Sequence, residues 1–322
     1  MKKFALRLLA AAVCLYACAQ SVWGAQLVVP GGQVIGLQIL DDTVTIAAFD
    51  EELGQSAQDC GLQVGDRIAA INGIPVQSAQ QVADGLMRTD GQAKIDLVRN
   101  GQNKTVYVLP EITEDGPRLG VYLKQGITGV GTVTWYDPNT GKFGALGHGV
   151  NGTDGNLADM AQGTVYNATV LTVKTGKAGQ PGQLMSTVTG TGQIGSLTKN
   201  TPQGVFGTAR LSADAELLPI GSKEQVRTGK ATIRSTVNDG QIREYSVDII
   251  KVYPHSGPSG RNMLLKVTDP ALLNATGGIV QGMSGSPIIQ DGKLVGAVTH
   301  VLVNDPTTGY GIFIENMLDA AA

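Results

Sequence analysis

The sequence is poor in the residues that build several common kinds of site and scaffold. Of its 322 residues only 3 are cysteine and 3 are histidine, and aromatic residues make up 5%. Two of the cysteines, Cys14 and Cys18, fall in the first 25 residues, so Cys60 has no partner for an internal disulfide in the rest of the chain. Three histidines and one cysteine without short ligand spacing argue against a metal site.

Charge is also scarce. Charged residues make up 16%, and the formal net charge of −3 gives no electrostatic case for a nucleic-acid-binding protein. Hydrophobic residues at 42% are enough for folded cores and exclude wholesale disorder. The 44 glycines follow no triplet period, which excludes collagen. With frequent valine and threonine they favour a β-rich protein with many turns.

The N-terminal segment has the layout of a secretory signal. Lysine and arginine residues precede the apolar run 8–19, and cleavage after Ala19 or Gly24 fits the preference for small residues. The run is shorter than the roughly 20 residues that a membrane-spanning helix needs. The sequence therefore predicts export, with residues 1–25 acting as a cleaved signal peptide or as an uncleaved membrane anchor.

Residues 26–112 alternate short strands and turns with a helix capped by Ser78. The motif Cys60-Gly61-Leu62-Gln63-Val64-Gly65-Asp66-Arg67-Ile68, followed by Ile71-Asn72-Gly73-Ile74-Pro75-Val76, closely resembles the core of bacterial PDZ domains. That resemblance implies a groove for an extended peptide, whose terminal carboxylate is received by a glycine-containing loop. By position the loop is 34–37, so the predicted peptide-binding residues are Ile35, Gly36 and Leu37.

The rest of the chain, 113–322, predicts a second domain. Short β-segments broken by Gly, Asn, Asp and Pro are typical of a sandwich or barrel, and a short helix at 315–320 closes the chain. Gly190-Thr191-Gly192-Gln193-Ile194-Gly195 matches a dinucleotide-binding pattern, but it lacks the strand-turn-helix context. No cofactor is predicted.

The segment Gly282-Met283-Ser284-Gly285-Ser286-Pro287 has the local layout of a chymotrypsin-like nucleophile loop. Acyl transfer needs two N–H groups aimed at the developing oxyanion, and Gly282 and Ser284 would supply them. Gly285 would let the chain turn without a side chain beside the reacting carbonyl. The rival interpretation of this segment is a plain glycine turn.

A serine nucleophile needs a base, and the base needs an orienting group. His148 lies between two glycines at the end of a predicted strand and is the predicted base, whereas His255 and His300 are interpreted as loop and structural residues. Asp269, at a strand end fifteen residues before Ser284, is the predicted orienting carboxylate. Spacing alone leaves other carboxylates open, namely Asp154, Asp159 and Asp248.

Together these segments resemble the SpoIVB peptidases of endospore-forming bacteria. The resemblance rests on Gly144-Ala145-Leu146-Gly147-His148-Gly149, on Val267-Thr268-Asp269-Pro270 and on the long segment Thr276 to Ile289. It implies a mainly β protein in which a PDZ domain precedes a chymotrypsin-like double β-barrel serine peptidase domain. The family's catalytic residues transfer to His148, Asp269 and Ser284, with Gly282 and Ser284 forming the oxyanion hole.

The resemblance also implies a biological role. Members of this family are sporulation signalling proteases that act between the two forespore membranes. They process themselves and cleave a regulator of an intramembrane protease, which then matures a late sigma factor precursor. Two other interpretations stay open: a catalytically inactive PDZ scaffold, and a quality-control protease of the HtrA type, in which the protease domain precedes the PDZ domain.

Overall fold

The structure is a computed structural model, and it describes residues 27–152, 155–211, 216–237, 239–255 and 261–322, without the side chain of Thr191. The predicted signal segment 1–25 and the candidate carboxylate Asp154 lie outside the described residues. In the described part no helix is long and apolar enough to cross a membrane.

The chain is mainly β, as predicted. Its strands are β1 (Leu27–Pro30), β2 (Val34–Leu40), β3 (Val44–Phe49), β4 (Arg67–Ile71), β5 (Ile74–Pro75), β6 (Ala93–Arg99), β7 (Gln102–Val108), β8 (Glu111–Thr113), β9 (Gly116–Arg118), β10 (Val121–Lys124), β11 (Ile127–Tyr136), β12 (Lys142–Ala145), β13 (Gln162–Lys174), β14 (Gln183–Thr201), β15 (Gly204–Ala209), β16 (Leu218–Pro219), β17 (Gly229–Thr236), β18 (Ile242–Val252), β19 (Met263–Val267), β20 (Pro287–Gln290), β21 (Lys293–Leu302) and β22 (Asp305–Phe313). The helices are α1 (Gln55–Asp59), α2 (Ala79–Met87), α3 (Pro270–Thr276) and α4 (Ile314–Ala321).

The PDZ unit is one antiparallel sheet in the order β10-β3-β4-β6-β7, with β5 paired to β4. Alternating apolar residues of these strands and the buried face of α2, which carries Val82 and Leu86, form its core. Ser78 caps α2 as predicted, its side chain accepting a hydrogen bond from the Gln81 N–H. The predicted hairpin turn is also present, with positive φ at both Asn100 and Gly101.

The peptidase unit consists of two six-stranded barrels. The first follows the order β12-β15-β14-β13-β2-β11 and closes through the pairing of β12 with β11. The second is the closed barrel β17-β18-β19-β22-β21-β20. Each barrel has its own apolar core, because strands that close on themselves turn alternate side chains inward. The double β-barrel prediction is confirmed.

The structure corrects both ends of the predicted PDZ domain, 26–112, because β2 belongs to the first barrel and β10, beyond residue 112, belongs to the PDZ sheet. Strands β1 and β2 precede the PDZ unit in sequence, yet β2 pairs with β11 and β13 inside the first barrel. The PDZ unit is therefore inserted between two neighbouring barrel strands, joined at the pair Ile39↔Ile127. Sequence reasoning missed this because the partners of β2 lie far along the chain, beyond the PDZ unit.

Candidate active site

The predicted nucleophile lies in a cavity of about 550 Å³ between the two barrels. The cavity is lined by Ser284, Gly282 and His148, which the sequence predicted, and by His300, which the sequence analysis took as structural. His148 follows β12 of the first barrel and Ser284 precedes β20 of the second. The packing of one barrel against the other thus brings together two residues that are more than a hundred positions apart in sequence.

The segment 282–287, called the serine loop below, is held in place by hydrogen bonds to both barrels. From β11 of the first barrel, the Thr132 hydroxyl donates to Gly282 O at 2.7 Å and the Thr132 N–H donates to Ser284 O at 3.0 Å. The Thr134 hydroxyl donates to Gly285 O at 2.8 Å. From the second barrel, the Gly285 N–H donates to Val298 O at 2.8 Å. These contacts hold the loop's peptide planes in one orientation.

Glycine is required at Gly285. Its φ is +96°, and a Cβ built there would lie 2.0 Å from the Thr132 carbonyl oxygen. A side chain would therefore push the serine loop off the first barrel.

The peptide between Gln281 and Gly282 is also oriented. The Leu184 N–H donates to Gln281 O at 2.8 Å, so this carbonyl points toward β14. In a trans peptide the N–H points the opposite way, which turns the Gly282 N–H away from β14. Within the described residues neither the Gly282 N–H nor the Ser284 N–H donates a hydrogen bond. Both are available to an oxyanion, in the arrangement that the sequence analysis proposed.

The Ser284 hydroxyl donates to the Thr299 carbonyl oxygen at 2.8 Å. The hydroxyl is therefore directed at the backbone of β21 rather than at His148. To be activated it must rotate about its Cα–Cβ bond and donate to the imidazole instead.

A backbone carbonyl orients the imidazole of His148. Its Nδ1 lies 2.9 Å from Gly149 O, and because a carbonyl only accepts, Nδ1 carries the proton and Nε2 the lone pair of the neutral ring. Burial lowers the pKa of His148 below its ordinary value of 6.5, and the hydrogen bond to Gly149 opposes this. The ring is thus mostly neutral at pH 7 and able to act as a base.

Positive φ angles at Leu146 (+71°) and Gly147 (+68°) turn the chain so that His148 reaches the cavity. A leucine at positive φ is uncommon and is held here by its surroundings. Leu146 is buried and its N–H donates to Thr132 O at 3.2 Å. The same residue of β11 thus supports both the serine loop and the approach to His148.

The structure does not bring Asp269 to this cavity. Asp269 is the N-cap of α3: its Oδ1 accepts from the N–H groups of Ala271 (2.9 Å) and Leu272 (3.1 Å), and its Oδ2 accepts from the Ser246 N–H (3.2 Å). Its role as orienting carboxylate is corrected on this geometry. An aspartate followed by proline is itself a helix-start signal, since proline suits the first helical position.

The other carboxylates left open by spacing are not at the cavity either. Asp159 is exposed, and Asp248 forms an ion pair with Lys230 at 2.9 Å. Among the described residues that line the cavity there is no aspartate or glutamate.

His300 is the residue that sequence reasoning underrated. Its ring centroid lies 5.3 Å from that of His148, with the two planes tilted by 38°. Burial, His148 and Arg261 together lower the pKa of His300. The available signal was its position next to Thr299 on β21, the second strand after the serine loop, because Thr299 O accepts the hydrogen bond of Ser284.

The predicted PDZ loop is wrong. Ile35, Gly36 and Leu37 lie in β2, which is paired on both edges, so the strand's N–H groups are engaged in the barrel. A groove of about 510 Å³ lies instead between α2 and β10, the edge strand of the PDZ sheet. At its end the segment Leu119-Gly120-Val121 forms a glycine-containing turn, with Gly120 at φ +65°. Within the described chain the Leu119 and Gly120 N–H groups donate no hydrogen bond, as a carboxylate-receiving loop requires.

Two barrels with a serine and a histidine meeting between them, and a PDZ unit attached, define a chymotrypsin-like serine endopeptidase. The family described as SpoIVB peptidase S55 matches residues 115–318, and the PDZ domain family matches residues 52–99. Because the first match covers more than half of the chain, this protein belongs to the SpoIVB peptidase S55 family.

Several solved structures are similar. The PDZ domain of the SdrC-like protein from Listeria monocytogenes is 24% identical with a TM-score of 0.23, over 26% of this chain and 90% of that one. The active form of the Rv3671c protease from M. tuberculosis is 15% identical with a TM-score of 0.37, over 61% and 75%. The HtrA-type protease AlgW with a tripeptide is 14% identical with a TM-score of 0.36, over 60% and 54%. A comparison with curated proteins gave no match.

Proposed function

We propose that this protein is an exported signalling peptidase of sporulation. It would work between the forespore membranes, process itself, and cleave a regulator of an intramembrane protease. Family membership and the signal-like N-terminal segment support this role. The observation that carries the chemistry is that Gly282, Ser284 and His148 line one cavity, and that within the described residues the Gly282 and Ser284 N–H groups donate no hydrogen bond.

The mechanism is a two-step acyl transfer. The Ser284 hydroxyl leaves Thr299 O, gives its proton to Nε2 of His148, and attacks the peptide carbonyl. The N–H groups of Gly282 and Ser284 stabilise the oxyanion. His148, held through Nδ1 by Gly149 O, then protonates the leaving amine, and water hydrolyses the acyl-enzyme.

The cavity walls indicate the substrate side chains. Apart from the two histidines, the described lining carries no charged side chain and is largely aliphatic. Burying a charged substrate group there would cost far more than burying an aliphatic one. We therefore expect cleavage beside uncharged apolar residues. The aliphatic walls are Leu37, Ile39, Ile127, Val130, Leu146, Val150, Ile279, Val280 and Val301.

The PDZ groove supplies a second contact with the substrate. An extended peptide would pair with the free edge of β10, with its carboxylate on the Leu119 and Gly120 N–H groups. Ala83 lies on the exposed face of α2 within the groove, so Ala83→Arg should block it without disturbing the core. We expect this variant to bind a C-terminal peptide from the substrate at least tenfold more weakly while its Ser284 still reacts with a fluorophosphonate.

Expression of the chain from Gln26 as wild type and as Ser284→Ala, followed by intact mass over hours, tests the peptidase assignment. Fragments that form only in the wild type establish serine-dependent self-processing and locate the first cleavage sites. Ser196→Ala, on β14 outside the cavity, is the matched control and should behave as wild type. Peptide binding without any serine-dependent cleavage would favour the scaffold interpretation. Broad digestion of unfolded casein would favour a quality-control protease.

A further inference from the structure

The second-barrel wall of the cavity contains an aliphatic side chain near Ser284 that the acyl-transfer mechanism does not use. Ile279, upstream of Ser284 in the chain, lines the cavity and is only 3% exposed. It belongs to the apolar core of the second barrel, and its N–H donates to Pro306 O at 2.7 Å. Because packing and backbone both hold it, Ile279 is a fixed part of the cavity wall.

The groups around Ser284 define where the scissile residue lies, meaning the substrate residue whose carbonyl is attacked. Its carbonyl oxygen must lie at the Gly282 and Ser284 N–H groups. The Ser284 hydroxyl donates to Thr299 O, so the reacting carbonyl lies between the segments 279–282 and 299–301, both of which contribute to the cavity lining. The side chain of the scissile residue is attached next to that carbonyl and therefore enters the space between these two segments.

Ile279 closes this space at its inner end. A Cβ built on Gly309 of β22 would lie 2.6 Å from Ile279 Cδ1, so the tip of the isoleucine covers this glycine. Gly309 is the register partner of Val301, which lines the cavity. None of the described residues of the lining comes from β22, so Ile279 separates the cavity from that strand. The isoleucine thus occupies room that a long substrate side chain would need.

We propose that Ile279 is the floor of the pocket for the scissile residue and restricts that residue to alanine or valine. The inference rests on the acyl-transfer function proposed above and adds a substrate class to it. A leucine or phenylalanine side chain would reach the tip of Ile279, and displacing a packed core side chain is unfavourable. In an apolar pocket a difference of one methylene changes the rate by about 10–200-fold. The peptidase should therefore select its cleavage sites by side-chain length as well as by charge.

Four peptidyl diphenylphosphonates that differ only in the scissile side chain test the proposal on the full chain. Each reacts with the Ser284 hydroxyl, forming an oxygen–phosphorus bond and releasing phenol, so no natural substrate is needed. The reagents with an alanine or valine side chain should label the wild type at least tenfold faster than those with leucine or phenylalanine. Equal or faster labelling by the leucine and phenylalanine reagents would overturn the proposal.

The role of Ile279 is tested with Ile279→Val, a mild change of a buried isoleucine that removes the Cδ1 covering Gly309. It should raise the labelling rate of the leucine reagent about tenfold relative to the alanine reagent, because the pocket becomes deeper. Ile127→Val is the matched control, since it removes the same atom from the first-barrel wall of the same cavity. This control should leave the ratio of the two rates unchanged.

All rates are divided by the labelling rate with a fluorophosphonate that carries no peptide, which corrects for any loss of active enzyme. A leucine-to-alanine ratio that is unchanged in Ile279→Val, or that shifts equally in Ile127→Val, would overturn the pocket assignment and leave the peptidase assignment intact. Failure of the fluorophosphonate and of every peptidyl reagent to label the wild type would overturn the peptidase assignment, and this proposal with it.

Discussion

The serine loop and the segment 146–149, the histidine loop, meet in the same cavity but are held in different ways. The serine loop receives hydrogen bonds from Thr132, Thr134 and Val298, which lie on strands of both barrels. The His148 ring is oriented by one carbonyl of its own neighbour, Gly149. The position of the oxyanion site therefore depends on contacts between distant parts of the chain. The orientation of the base depends only on the neighbouring backbone. The predictions below test this difference.

The largest effect is expected from Gly285→Ala. The new Cβ would meet the Thr132 carbonyl oxygen at a φ of +96°, so the serine loop must leave the first barrel. We expect a loss of about 3 kcal/mol in the free energy of unfolding by urea, together with loss of fluorophosphonate labelling. Gly292→Ala is the matched control, because its φ is +71° but nothing lies within 4 Å of the new Cβ. It should cost about 1 kcal/mol and keep labelling. Equal losses of stability and labelling in the two variants would contradict the conclusion that Gly285 keeps the serine loop against the first barrel.

Thr132→Val should lower kcat about tenfold to hundredfold. Loss of one oxyanion donor costs about 10²–10³ in rate, and this variant should displace a donor rather than remove it. The variant keeps the shape and the backbone N–H of Thr132 but removes the hydroxyl that holds Gly282 O. KM on a peptide spanning the first identified cleavage site should stay within twofold. Thr132→Ser should restore kcat, whereas a purely structural effect would lower stability and leave kcat per folded molecule unchanged.

The pH dependence of kcat/KM tests the surroundings of His148. His148 must be neutral to accept the serine proton, so kcat/KM should fall as the pH drops through its pKa. Burial lowers this pKa, so the acid limb should lie below 6.5. A limb above 6.5 would indicate a carboxylate beside the ring, since a negative neighbour stabilises the imidazolium.

The smallest effect is expected from Asp269→Asn. Asparagine keeps an oxygen for the N–H groups of α3, so the free energy of unfolding should change by no more than about 1 kcal/mol. The labelling rate should stay within threefold of wild type, and the acid limb should not move. A loss of about 10⁴ in rate, as when a triad aspartate is replaced, would place Asp269 at the imidazole after all.

The sequence predicts what is local in this molecule. The segment 282–287 specifies its own turns through two glycines at positive φ, and Ser78 and Asn100-Gly101 specify a cap and a hairpin in the same way. The error at Ile35-Gly36-Leu37 has a different origin. A glycine between aliphatic residues suits a carboxylate loop, but it equally suits a barrel strand in which Gly36 packs against Val188.

The remaining errors have three different origins. Strand β2 finds its partners β11 and β13 beyond the PDZ unit, and no local pattern announces such a pairing. Asp269 was chosen by its distance from Ser284 along the chain, although the motif Asp269-Pro270 also fits a helix start. His300 was set aside because its strand is apolar, yet the bulge in β21 between Val298 and His300 changes the register beside the cavity.

The insertion of the PDZ unit between β2 and β11 also has a thermodynamic consequence. An unfolded insert would be a long flexible loop, whose closure would cost the first barrel about 3–4 kcal/mol in chain entropy. A folded insert brings its own ends together, because β3 and β10 pair side by side at Thr45↔Lys124. A peptide that stabilises the PDZ fold therefore also protects the barrel that carries His148 from unfolding.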